Sequence, residues 1–167
     1  VKEVRNGPGG IELIDQEGVA RPGVGHLDIQ ETMSHLVEKE VRPLKPGNWI
    51  GHVHVHVNDI EAARVFYSDL LGYPVGTDWS FMGMLDVHFE GEFEHRIAFN
   101  GWQGPGATQR PEGTVGLRYF TLVLPGQEEL DATLLRLAAA GVKAEPRDGG
   151  QMVADPSGNR VLLVAKG

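Results

Sequence analysis

Residues 51–57, Gly-His-Val-His-Val-His-Val, alternate strictly between polar and apolar side chains. This predicts a strand with His52, His54 and His56 on one face and Val53, Val55 and Val57 on the other. The valine face calls for a covering helix, and the pattern supplies one. Asn58 with Glu61 reads as its N-terminal cap, Ala63, Phe66, Tyr67, Leu70 and Leu71 as its buried stripe, and Gly72 as its end. Strand signals return at 81–89 and 93–102 with a turn near 90–92, so the stretch reads as a βαβββ unit. The same order recurs beyond the Gly- and Pro-rich loop 103–113. There an apolar strand at 117–124 precedes a helical stripe of Leu130, Leu134, Leu137 and Ala138, closed by Gly141, and short strands follow at 142–146, 151–154 and 161–164. Aligning the two first strands sets His52 against Tyr119, an offset of 67 residues.

The chain ahead of this repeat has a different texture. Residues 1–25 are loop-rich, with glycines and prolines around one short apolar strand, Ile11 to Ile14. Residues 28–41 predict an amphipathic linker helix: Asp28 and Glu31 form a capping pair, Ile29, Met33, Leu36, Val37 and Val41 fall at helical spacing, and Pro43 and Pro46 stop it. The expected organisation is therefore a loop-rich segment over 1–25, a linker helix over 26–48 and a domain over 49–167, with units of about 49–102 and 114–167. A fainter echo aligns residues 5–13 with 155–163, as though the chain opened on the last strand of a preceding module. The first residue is Val1 and not Met, which fits a trimmed chain or part of a longer polypeptide.

Composition narrows the function classes. Apolar residues make up 41% and charged residues 23% of 167, a globular balance for an α+β domain with many turns. Fifteen Lys and Arg against 23 Asp and Glu leave a net charge of -8 with the cations scattered, which argues against a nucleic-acid partner. The absence of cysteine removes disulfides, thiolate nucleophiles and cysteine-held metals, so any metal must be held by His, Asp, Glu or Tyr. No apolar run reaches the length of a membrane span and the first residues carry no signal-peptide pattern, so the expected location is the cytoplasm. Gly104-Pro105-Gly106 has no helix start after it and is not a phosphate cradle.

Several stretches together carry a resemblance. Gly51-His52-Val53 runs into Asn58-Asp59-Ile60 and Phe66-Tyr67-Ser68-Asp69-Leu70-Leu71-Gly72-Tyr73, and Asp155-Pro156-Ser157-Gly158-Asn159 follows much later. These resemble the vicinal oxygen chelate superfamily of glyoxalases, extradiol ring-cleaving dioxygenases and bleomycin-resistance proteins. The segments 95–102 and 116–125, with the Glu12-bearing strand ahead of a linker helix, look like the second half of two-domain, catechol-2,3-dioxygenase-like proteins. The resemblance implies paired βαβββ units forming an open, curved mixed sheet around a divalent metal. Extradiol members use Fe(II), with Mn(II) the other candidate, held by two His and one carboxylate with positions left open for a catecholate and O2.

Carried onto this sequence, the resemblance makes His52 the first metal ligand, places Tyr119 where the second His would stand, and puts Leu162 where the carboxylate would be. His95, at the start of the first unit's last strand, is a possible second ligand, and Glu12 the carboxylate of the preceding module's last strand. Tyr119 and His54 are the candidate catalytic groups, and Trp102, Asn100 and Arg118 the candidate substrate contacts. His54 and His56 share the face of His52, but residues two apart diverge along a strand, so the three need not meet one ion. The expected function is extradiol dioxygenase-like, on an aromatic small molecule, in a homodimer or a pairing with a further N-terminal domain. The alternatives are metal-free small-molecule binding, which the replacements at 119 and 162 favour, and a glyoxalase-like activity, which would want two carboxylates that the sequence does not obviously pair.

Overall fold

The structure, a computed structural model, describes residues 3–7, 10–14, 20–24, 29–35, 46–47, 50–89, 95–107, 111 and 113–167. The chain divides into two compact units, Val1–Asn48 and Trp49–Gly167.

In the first unit β1 (Glu3–Gly7), β2 (Gly10–Ile14) and β3 (Ala20–Val24) form an antiparallel sheet in the order β1-β2-β3. The sequence suggested one strand here amid loops. The flanking segments become strands because β2 offers hydrogen bonds along both edges, and a bulge between Ile11 and Glu12 accommodates Pro22 opposite Glu12. Helix α1 covers Ile29–Ser34 of the expected 28–41, of which residues 28 and 36–41 lie outside the described part. Ile29 and Met33, expected to pack, are 67% and 53% exposed.

The second unit contains the duplicated βαβββ pattern. Strand β4 (Val53–His56) leads into helix α2 (Ile60–Arg64), which continues in wider π-type turns through Val65–Leu70; β5 (Val75–Trp79), β6 (Met84–His88) and β7 (His95–Asn100) follow. The second half repeats this with β8 (Phe120–Leu124), α3 (Gln127–Ala139), β9 (Glu145–Arg147), β10 (Gly150–Ala154) and β11 (Arg160–Ala165). The sheets are ordered β4-β7-β6-β5 and β8-β11-β10-β9, and in each the first and last strands of the half are parallel neighbours. The result is the expected α+β architecture of paired βαβββ units.

Three local expectations change. The helix after β4 is capped by Asp59, whose Oδ1 accepts from the Ala62 N–H at 3.0 Å, and not by Asn58. Strand β5, Val-Gly-Thr-Asp-Trp, was hidden by its turn-forming residues. Gly76 leaves room there for the Asp86 carboxylate, which a Cβ would displace. Strand β8 begins at Phe120, so Leu117 to Tyr119 precede it, and Leu117 is exposed.

Both halves share one core. Val55 of β4 and Val57 just beyond it are buried in the core while His52 and His54 are exposed and His56 is half-buried, so the alternation separates a core face from an open face. Tyr67 stacks on Phe99 with centroids 5.1 Å apart and meets Phe66 edge-on at 5.0 Å. The turn 155–159 fastens the halves: Tyr67 Oη donates to Asp155 Oδ2 at 3.0 Å, Asn58 N–H to Ser157 Oγ at 2.8 Å, and Asn159 Nδ2 to the His56 carbonyl at 2.8 Å. On the far side, Arg136 Nε donates to the Leu70 carbonyl at 2.9 Å.

Candidate functional site

The sheet face opposite the helices carries the candidate chemistry. In the first half β4 places His54 beside Ala98 and His56 beside Asn100 of β7, and β6 places Asp86 and Met84 in the same rows. His54 Nε2 and Asn100 Nδ2 are 2.9 Å apart. With the amide nitrogen as donor, the imidazole is neutral with its proton on Nδ1, a tautomer assigned from this contact. Trp102 lies next to this pair, its ring centroid 6.4 Å from that of His54, and its Nε1–H donates to the Met82 carbonyl at 2.9 Å. It remains 57% exposed, so an aromatic surface is open beside an imidazole and a carboxamide. Gly83, at φ 73°, lets the turn pass below the indole, where a side chain would be strained.

Two further groups shape this face. Neither ring nitrogen of His56 has a hydrogen-bond partner among the described residues, although both are buried, an unmet demand that a ligand could satisfy. Asp86, 4% exposed, accepts from the Thr77 N–H at 3.0 Å and fixes β5 against β6. Arg96 Nη1 donates to the Gly51 carbonyl at 2.9 Å and so holds the chain just ahead of His52.

The duplication allows the ligand positions to be compared within the chain. In the first half Val53 pairs with Ile97 and His54 with Ala98; in the second Phe120 pairs with Val161 and Thr121 with Leu162. Matching the parallel pairs makes His52 equivalent to Tyr119 and Ala98 equivalent to Leu162. Of these four positions, two carry no donor atom. The third, Tyr119, is half-buried; its Oη makes a long contact of 3.4 Å with Asp148 Oδ2 and its ring lies 5.8 Å below the Arg147 guanidinium. Only His52, exposed at the entry to β4, is an ordinary metal ligand. Among the described residues no three His, Asp or Glu come together in a way that could hold a metal. The donors of this unit therefore do not fit a two-His, one-carboxylate centre.

The remaining candidates are placed elsewhere. His95 is the first residue of β7, in register with His88 and three residues ahead of Ala98; its side chain lies outside the described part. Glu12 is in β2 of the first unit, in register with Arg5 and Pro22, and its side chain is likewise outside it. Arg118 is exposed ahead of β8. The structure brings together His54, Asn100 and Trp102, and adds His56 and Asp86. It also adds Lys143, Arg147 and Arg160 around a groove of the second half. The alternation of Lys143, Glu145 and Arg147 into the short edge strand was a signal for the first two of these basic residues, but not for Arg160, which register alone brings beside them.

Comparison with known proteins agrees with this fold. The family model for the Glyoxalase/Bleomycin resistance protein/Dioxygenase superfamily matches residues 49–163. The catechol-2,3-dioxygenase of Bacillus subtilis (strain 168) is 34% identical over 151 residues, which cover 90% of this chain and 53% of that protein. The chain thus spans about half the length of this curated relative. Among solved structures, lactoylglutathione lyase from Agrobacterium tumefaciens is similar at TM-score 0.53 and 18% identity, covering 72% of this chain and 96% of that one. A glyoxylase/bleomycin resistance protein/dioxygenase domain from Frankia sp. is similar at TM-score 0.55 and 18% identity, covering 72% and 98%. A glyoxalase/dioxygenase from Nostoc punctiforme is similar at TM-score 0.55 and 16% identity, covering 77% and 99%. At these identities the structural likeness concerns the fold.

Proposed function

Because the chain belongs to the Glyoxalase/Bleomycin resistance protein/Dioxygenase superfamily, we propose that it is the ring-binding part of an extradiol, catechol-2,3-dioxygenase-type protein. The observation that carries this reading is the 34% identity to the B. subtilis catechol-2,3-dioxygenase across 90% of the chain. The exposed indole of Trp102 provides a flat apolar wall for an aromatic ring, and Asn100 and His54 meet ring hydroxyls at its edge. A hydroxyl that displaces the Asn100 amide finds the lone pair of His54 Nε2 facing it, so His54 is the group that takes a catechol proton.

No ring-cleavage step is assigned to a metal within Trp49–Gly167, because Ala98 and Leu162 supply no donor and Tyr119 is engaged by Asp148 and Arg147. An iron- or manganese-dependent reaction would need donors from a partner subunit or a further domain, with His52 as this unit's contribution. The same two replacements favour a second reading, a metal-free domain that binds planar small molecules.

Iron and manganese analysis of untagged protein, before and after anaerobic Fe(II) addition, separates the two when combined with an oxygen-uptake assay on catechol. The dioxygenase reading, with the missing donors supplied by a partner copy of the chain, expects bound metal that falls by at least half in His52→Ala, together with catechol-dependent oxygen consumption. Absence of metal uptake and of oxygen consumption would overturn it and leave metal-free binding.

A further inference from the structure

A groove of about 450 Å3 on the second half is lined by Lys143, Arg147 and Arg160, with one carboxylate, Glu145, over a floor of Met152 and Ala154. Register places it on the face of β9, β10 and β11 to which Leu162 belongs: Glu145 pairs with Met152, Met152 with Leu162, and Ala154 with Arg160. Where the first half sets Asp86 opposite Ala98, the second sets Met152 opposite Leu162. The carboxyl group of one half is thus replaced by the apolar Met152, with cations at its margin.

The cations are not consumed by internal ion pairs. Arg147 makes a long contact of 3.4 Å with Asp148, both groups being well exposed. Lys143 and Arg160 have no carboxylate partner among the described residues. Such a groove repels a divalent metal and attracts an anion. The ammonium of Lys143 supplies a point charge and the two guanidinium groups planar forks that match a carboxylate, while the floor takes apolar surface out of water.

We propose that this groove binds an amphipathic organic anion, a carboxylate carried on an apolar body. The inference goes beyond the catechol reading and does not rest on it, since it concerns the opposite half of the unit and requires no metal.

Titration of the metal-free full chain with benzoate, followed through the amide NMR signals of Met152 and Ala154, tests it. Saturable shifts at these two amides are expected. Arg160→Glu and Lys143→Glu, both at exposed positions, should each weaken binding roughly tenfold or more by replacing a charge-assisted contact with repulsion. An unchanged thermal midpoint in either variant assigns the loss to the groove. Benzamide, which keeps the ring and loses the charge, and inorganic phosphate, which keeps charge and loses the apolar body, should both bind more weakly. The proposal is overturned if benzoate leaves these amides unshifted, if benzamide or phosphate binds as tightly, or if both charge reversals leave benzoate affinity intact.

Discussion

At the scale of single residues Asp155 shows how a recognisable turn acquires a second task. Its carboxylate is 4% exposed and accepts from the Ser157 and Asn159 N–H groups, from Asn159 Nδ2 and from Tyr67 Oη, all within 2.8–3.0 Å. Burial pushes its pKa up, and the hydrogen bonds from Asn159, Tyr67 and Ser157 pull against that. Asp155→Ala strands several donors at once and is expected to cost about 2–4 kcal/mol of unfolding free energy, read from urea denaturation. Conservative Asp155→Asn, which keeps one acceptor oxygen, should cost less. The sequence makes the turn legible but not the clasp, because Tyr67 and His56 lie 88 and 103 residues from the groups they meet. Ala98 was hidden for a related reason. Its equivalence to Leu162 depends on strand register, whereas His52 and His54 were legible from local alternation alone.

At the scale of elements, legibility follows how much of each signal is local. Strand β4 declares itself because every second residue is a valine. Strand β5 does not, since an edge strand with a bulge tolerates Gly76 and Asp78, residues that otherwise mark turns. The cap of the first helix was missed by one residue: Asn58 and Asp59 are both good caps, and the choice falls to Asp59 because the Asn58 N–H is held by Ser157. Asp59→Ala should therefore destabilise the fold by about 1 kcal/mol, against a smaller change for Asn58→Ala, in parallel chemical denaturations. The edge strand β9 keeps Pro146 at its centre, which removes a backbone donor from the open edge and discourages pairing with another sheet.

At the scale of the whole unit, alkaline pH probes how the tyrosines are packed. Burial, with a smaller contribution from Glu129, pushes the Tyr73 hydroxyl up to about 12, and its ring packs against Phe89 at 4.9 Å. Tyr67 is shifted in the same direction by burial and by Asp155. An unfolded tyrosine ionises near pH 10, so above about that pH the unfolded chain releases protons that the folded one retains. The stabilisation is complete below about pH 10 and is lost as pH rises toward 12. Denaturation midpoints should fall over this window, and Tyr73→Phe should make the decline shallower. Among the described residues no helix is long and apolar enough to cross a membrane. The overall architecture was legible because the duplicated periodicity repeats it twice; the sign of the charge on each half's open face was not, because it emerges only when side chains from separate strands are brought into register.

The closure of each sheet within its own half also sets an order of assembly. Each parallel pair, β4 with β7 and β8 with β11, joins strands of the same half, and among the described residues no strand ladder connects the two sheets. Loop closure for each sheet is therefore confined to its own half, while the shared core is completed only when the two halves meet. The contacts of the turn 155–159 reach across about a hundred residues to join the halves, so weakening them with Asn159→Ala is expected to speed unfolding more than it slows folding, read from the two arms of a chevron plot.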